Sequence, residues 1–369
     1  MSFKNIFDGK SVLVTGHTGF KGAWLSLWLE KMGANVFGIS NEIPTEPSHF
    51  QEALLSETIN HNICDIRDIP KLKDLFDECS PDFLFHLAAQ PLVRNSYIDP
   101  IKTWQTNTFG TINLLESLRA HEKECVAIFI TSDKCYDNVE WVFGYRETDA
   151  LGGPDPYSAS KGAAEIAIRS YIKSFFPRDG KIKISVGRAG NVIGGGDWAE
   201  DRIVPDCISS WNKNEKVKIR NPHATRPWQH VLEPLGGYLR LAQCLYFDDE
   251  LHGEPFNFGP PANQNNSVGE LVEKMSQNYG NSSWEDVSED FDGPYESGLL
   301  KLNCDKALHF LNWHAVWDFE RTVKETSDWY NFFYKGKNTS SELKDLSLSQ
   351  IDSYTDSAIK KKLEWAIND

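Results

Sequence analysis

The chain has 369 residues, 40% hydrophobic and 25% charged, the balance of an ordinary globular protein with room for one large or two moderate domains. Its net charge of −15 argues against nucleic acid as a partner, because phosphate backbones reward clustered Lys and Arg. No apolar run approaches the roughly 20 residues of a membrane span, and the first residues lack the apolar stretch of a secretory signal. No membrane contact and a cytoplasmic location are therefore expected. Cys64, Cys79, Cys125, Cys135, Cys207, Cys244 and Cys304 are scattered without CxxC or Cys/His spacing. That pattern predicts reduced thiols and no metal.

Candidate strands run Ser11–Thr15, Asn35–Ile39, Asn60–Cys64, Phe83–Ala88, Val126–Ser132 and Ile182–Arg188. Helix-like stretches lie between them: Gly22–Met32 ending at Gly33, Thr106–His121, and Tyr157–Phe176 ending before Pro177. Such alternation predicts an α/β fold, a doubly wound parallel sheet with a smaller mixed α/β substrate-binding lobe. The nucleotide-binding domain is expected over 1–190 with a return segment at about 225–255. The lobe is expected over 191–224 and 256–334, where Gly, Pro, Asn and Trp become frequent. Residues 335–369 read as a polar extension, with a linker at Lys335–Asp345 and a last amphipathic helix at Ser357–Ile367.

The first strand runs into Gly16-His17-Thr18-Gly19-Phe20-Lys21-Gly22 and then a helix. Gly16, Gly19 and Gly22 suit a turn that brings bare backbone against a pyrophosphate, aided by the helix N-terminus. Contacts to the dinucleotide are expected from these glycines, Thr18 and Phe20. Ile66, beside Asp65 after the third strand, and Ala88 and Ala89, after the fourth, complete that set. The second strand ends in Ser40 and Asn41 without the usual ribose-binding carboxylate, so Ser40 or Asn41 is the expected ribose partner. Asp65 is the expected partner of the adenine amino group. From Met32 to Ile66 there is no Lys or Arg, so a 2′-phosphate would meet no cation and NAD is favoured over NADP.

Tyr157 and Lys161, in Pro156-Tyr-Ser-Ala-Ser-Lys161, stand four residues apart and stack on one helix face. A nearby ammonium lowers a phenol's pKa and prepares it to take a proton from a sugar hydroxyl. The fifth strand ends in Thr131-Ser132-Asp133-Lys134, at the sheet edge where open α/β folds bind ligands. Ser132 can share the hydroxyl hydrogen bond with Tyr157, while Asp133 and Lys134 offer a carboxyl and an amine.

The glycine loop together with Tyr157 and Lys161 resembles the extended short-chain dehydrogenase/reductase family, whose sheet is of Rossmann type. Residues 131–161, His86–Arg94, Arg188–Pro205 and Arg226–Tyr238 are similar to CDP-glucose 4,6-dehydratases. The likeness covers about residues 5–335. It implies a cycle in which C4 of the glucosyl ring is oxidised with bound NAD, C5 loses a proton, C6 loses its hydroxyl, and the hydride returns to C6. Asp133 then suits the acid at C6, a task needing a raised carboxyl pKa. Lys134 stands where dTDP-glucose enzymes carry a glutamate as the C5 base; a lysine serves there only if desolvated. Arg226 matches a position that pairs with the substrate pyrophosphate. Asn191, Arg202 and Arg94 are further candidates, Arg because its fork binds phosphate oxygens in pairs. Trp198 and Trp228 read as packing or as covers for base or sugar. A nucleotide-sugar 4-epimerase, another nucleotide's dehydratase and a non-catalytic NAD-binding regulator are the alternatives. A homodimer built on Thr106–His121 and Tyr157–Phe176 is expected from the resemblance.

Overall fold

The computed structural model describes residues 2–280, 283–290 and 298–367. Seven strands form one sheet: β1 (Ser11–Thr15), β2 (Asn35–Ser40), β3 (Asn60–Ile63), β4 (Phe83–His86), β5 (Cys125–Ile130), β6 (Ile182–Ala189) and β7 (Pro255–Phe258). Their order is β7-β6-β5-β4-β1-β2-β3, and every pairing is parallel. The strand order reverses between β1 and β4, which opens a crevice at the carboxyl edge. The doubly wound expectation holds.

Alternate side chains go to two separate cores. Val12, Val14, Phe83, Phe85, Val126 and Ile128 join a cluster that includes Trp24, Trp28, Trp313 and Trp329. Leu13, Leu84, Ala127 and Phe129 join a second cluster with Leu114, Leu118 and Ile168. Strands buried on both faces explain why β4 and β5 read as unbroken apolar runs.

The helices that matter for the site are α1 (Phe20–Lys31), α2 (Gly110–Ala120) and α3 (Pro156–Phe175). A stretch of π-helix, Gln105–Phe109, replaces the expected continuous helix from Thr106. There Asn107 takes the amide of Gln90 at 2.8 Å and donates to the Ser160 hydroxyl at 3.0 Å. These two bonds tie the segment after β4 to α3. Beyond β6 the chain forms α4 (Ile203–Asn212) and α5 (Leu232–Phe247). It then adds β7 to the sheet edge, so the return segment runs on to Phe258.

The polar tail differs from its expected form. Lys335–Asp345 is no linker: Thr339 and Glu342 make a capping box that opens α6 (Ser340–Lys360). Leu343, Ser347, Gln350, Ile351, Tyr354 and Ala358 face inward at helical spacing. Ser347 and Gln350 at buried positions hide that stripe from a hydrophobicity pattern. Beyond the helix, Trp365 stacks on Phe3 with centroids 4.8 Å apart.

His49 lies flat on Trp24, with ring centroids 4.5 Å apart, and contacts the Ser347 hydroxyl at 3.1 Å. Burial pushes its imidazole from 6.5 down to about 3. A base with a depressed folded pKa stabilises the fold above 6.5, and that contribution is lost as pH falls toward 3. His49→Gln should therefore show a shallower loss of stability below pH 6.5, by up to about 1.4 kcal/mol per pH unit. Denaturant titrations over that range check it; parallel curves for the two proteins would refute it.

Candidate active site

The loop between β1 and α1 is shaped by two of its three glycines. Gly16 has φ +75°, and a Cβ there would stand 2.7 Å from the Ala88 amide nitrogen. A Cβ on Gly22 would stand 2.0 Å from the Gly16 carbonyl oxygen. At Gly19 the nearest atom would be 3.4 Å away, an ordinary contact. Gly19 is the N-cap of α1 and offers no side-chain cap, so the helix's first N–H groups remain for an anion. Phe20 begins that helix and packs beside Gly194. Ala88 donates its amide to Thr15 Oγ1 at 3.2 Å. Ala89 follows, half-buried, and Ile66 is buried against Gly110. The cradle fits a dinucleotide pyrophosphate.

Two of the expected nucleoside contacts are occupied by the protein itself. Ser40 Oγ accepts the Thr18 amide at 3.2 Å and meets His17 Nδ1 at 2.9 Å, while Thr18 Oγ1 donates to the Glu42 carbonyl at 2.6 Å. Ser40 thus braces the glycine loop. Asp65 holds Arg67 through Nε at 3.0 Å and Nη2 at 2.6 Å, which lowers the carboxyl below its usual range. Arg67, the first cation after the Met32–Ile66 gap, is therefore already neutralised.

At the end of β5 the chain makes a single 3-10 turn, Asp133–Cys135. Ser132 caps it, accepting the Lys134 amide at 3.2 Å, and donates to Asp133 Oδ1 at 2.9 Å. Asp133 Oδ2 is buried with no partner among the described residues. Gly190, just past β6, admits this carboxyl: a Cβ there would stand 1.8 Å from Oδ2. Lys134 is half-buried.

Asp155 caps α3 by accepting the Ser158 amide at 2.9 Å, and Pro156 opens the helix. Tyr157 and Lys161 follow one turn apart, both buried. Burial pushes the Tyr157 phenol up to about 12, while the Ser132 hydrogen bond pulls it back. Ser132, rather than the expected Lys161 ammonium, leads the effects favouring phenolate. Burial also lowers Lys161 to about 8.

Lys21, which the sequence reading passed over, joins this cluster. It is lowered to about 8 by burial and then by the Arg202 charge, against the pull of Asp133. A lysine inside a buried glycine loop was the available signal. Arg202 Nη1 donates to Asp197 at 2.8 Å, and Arg94 Nη1 to Asp201 at 2.6 Å. Both arginines thus hold one loop at the lobe junction. Asn191, at φ 44°, accepts the Gln229 amide through its carbonyl at 3.2 Å. Arg226 stands in a two-residue strand paired with Asn266–Ser267 and donates to the Thr225 carbonyl at 2.9 Å. Trp198 packs against Trp329 and Phe333, and Trp228 is buried, so both indoles pack.

The sequence profile of the family described as GDP-mannose 4,6 dehydratase matches residues 13–326. The chain belongs to that family. The CDP-glucose 4,6-dehydratase of Salmonella typhimurium is 47% identical over 91% of this chain and 94% of its own length. An epimerase structure from Methanothermobacter thermautotrophicus aligns with a TM-score of 0.77 at 23% identity, covering 90% of this chain and 95% of its own. A dTDP-glucose 4,6-dehydratase from Bacillus anthracis, solved with NAD, aligns at 0.71 and 19% identity over 87% and 96%. These two likenesses show the shared fold.

Gly22→Ala should drive its new methyl into the Gly16 carbonyl and distort the cradle. NAD affinity should fall at least about tenfold, the effect of roughly 1.4 kcal/mol, in a variant that keeps wild-type circular dichroism. Unchanged affinity by titration calorimetry would show that the dinucleotide binds elsewhere.

Proposed function

We propose that the protein is an NAD-dependent CDP-glucose 4,6-dehydratase, forming CDP-4-dehydro-6-deoxy-D-glucose. The observation that carries this reading is the placement of a buried carboxyl, Asp133, on the turn that also presents Ser132 to Tyr157. A 4-epimerase has no use for an acid at C6. The extensive identity to the Salmonella enzyme supports the cytidine nucleotide.

Bound NAD supplies the electron acceptor for C4 oxidation and returns the same electrons to C6, so it is not consumed. Tyr157 takes the C4 hydroxyl proton, with Ser132 holding both oxygens in line and Lys161 one helical turn behind. Asp133 delivers a proton to the departing C6 hydroxyl. Oδ2 is the atom for this, because Oδ1 is engaged by Ser132. Lys134, on the same turn, offers its amine toward C5 and serves as the base there only when bound substrate strips its water. Arg94, Asn191, Arg202 and Arg226 hold the substrate diphosphate, the first two arginine forks pre-aimed by Asp201 and Asp197. NAD is preferred to NADP because Arg67 is committed to Asp65 and no cation precedes it back to Met32.

In this reading residues 1–190 with the return through Phe258 carry the cofactor, and the remainder to 334 carries the nucleotide-sugar. The exposed apolar side chains Ile98, Ile101, Phe109 and Ile166 pair two copies into a homodimer through the helices flanking Asn107 and α3. The seven free thiols suit a reducing cytoplasm. No described helix is long and apolar enough to cross a membrane.

Incubation with CDP-glucose, dTDP-glucose, UDP-glucose and GDP-mannose tests the substrate. The CDP-glucose product should be lighter by one water, with no net reduced cofactor. A product of unchanged mass and inverted C4 would make the protein an epimerase.

The two half-reactions should separate by mutation. Tyr157→Phe is expected to abolish transient cofactor reduction. Asp133→Asn should still oxidise C4 and accumulate a 4-keto sugar retaining its C6 oxygen, while turnover falls by roughly 10²–10⁴. Rapid-quench mass spectrometry distinguishes them, and wild-type turnover in Asp133→Asn would remove Asp133 from the mechanism.

A further inference from the structure

Behind the catalytic turn lies an ion pair that the mechanism above does not use. Arg188 on β6 and Glu165 on α3 expose only 3% and 4% of their side chains. Arg188 Nε donates to Glu165 Oε1 and Nη2 to Oε2, each at 2.8 Å, a two-pronged pairing. Arg188 Nη1 also donates to the Glu147 carbonyl at 3.2 Å, and the pair's other bonds go to the two ends of the turn. Thr131, immediately before Ser132, donates its hydroxyl to Glu165 Oε1 at 2.5 Å. Tyr136, immediately after Cys135, accepts from Arg188 Nη1 at 2.7 Å and stacks under the guanidinium at 4.9 Å. The same phenol donates to Asn257 on β7 at 2.8 Å.

Glu165 stands one helical turn beyond Lys161 and two beyond Tyr157, on the same face of α3. The pair therefore grips both ends of the segment carrying Ser132, Asp133 and Lys134 and fastens it to the helix carrying Tyr157 and Lys161. We propose that Glu165, Arg188 and Tyr136 are positioning residues that set the Asp133–Lys134 turn for the elimination half of the reaction. The inference rests on the dehydratase reading. Tyr157 and Lys161 are fixed by α3 itself, and Ser132 directly follows Thr131, whose amide continues the sheet ladder to the Gly187 carbonyl at 3.0 Å. C4 oxidation therefore needs the brace less than loss of water across C5 and C6 does.

Removing Glu165 or Arg188 alone would strand a buried charge, so the test uses Tyr136→Phe, which keeps the ring and removes only the bridging hydroxyl. Thr131→Val releases the other end of the turn and serves if Tyr136→Phe does not fold. In single turnover with NAD and CDP-glucose, each variant should reduce the cofactor within about threefold of the wild-type rate. Release of the product lighter by water should fall about 10²-fold, the usual effect of an ångström of misplacement, with a 4-keto sugar retaining its C6 oxygen accumulating. KM for CDP-glucose should stay near the wild-type value. A merely structural role would lower melting temperature and slow both steps alike, and that result overturns the proposal, as does a wild-type ratio of the two rates. If the wild-type protein itself releases no dehydrated product, the functional reading falls and this inference with it.

Discussion

Lys161, Glu165 and Arg188 bring three ionisable groups into the interior beside the carboxyl edge of the sheet, and the rest of the site depends on how they are compensated. A buried charge is tolerated when a partner and hydrogen bonds replace its water. Arg188 and Glu165 satisfy one another through both prongs. Lys161 has no such fork, and burial lowers it to about 8, opposed by Cys135 and then by the Glu165 carboxylate. One carboxylate thus neutralises the arginine and sustains the lysine. Helix α3 and the Asp133–Cys135 turn are joined through the same two oxygens, so electrostatic compensation and geometry are one arrangement.

Around that centre, close backbone approach decides where side chains are forbidden. Gly22 lies against the Gly16 carbonyl, Gly16 against Ala88, and Gly190 against the Asp133 carboxyl. The first two let a helix N-terminus reach the pyrophosphate site. The third lets β6 pass the carboxyl without displacing it. Gly195 has a different duty, leaving room for the indole of Trp329. Among the loop glycines only Gly19 has room for a methyl, so the familiar triplet spacing overstates the steric requirement there.

Much of the fold was legible because strands buried on both faces carry apolar runs, over the whole of β5 and over Val12–Val14 and Phe83–Phe85 in β1 and β4. The glycine loop and Tyr157/Lys161 were legible because their spacing maps directly onto a turn and one helix face. Less legible were features that depend on partners distant in the chain. Ser40 reads as a ribose ligand, and its second duty, bracing Thr18 and His17, shows only in the fold. Glu165 reads as an ordinary helical glutamate until Arg188 and Thr131 converge on it. The π-helical stretch at Gln105–Phe109 has no local signature; it follows from Asn107 being drawn to Gln90 and Ser160.

The tail shows the same dependence on distant partners and carries it to α5. Tyr354 on α6 donates to Glu233 Oε2 at 2.9 Å, and Glu233 also accepts the amides of Val316 and Trp317. Burial nonetheless pushes this carboxyl up to about 7. Glu233 is on α5, seven residues beyond Arg226, and α5 packs on β5 and β6. The last helix is therefore joined through one carboxyl to the helix that backs β5 and β6. Thr339, Ser347 and Gln350 are polar because each has a specific bond to make, to the helix cap, to His49 and to the Glu325 carbonyl. A polar composition here marks a segment satisfied by tertiary hydrogen bonds, which is why it belongs to the folded body.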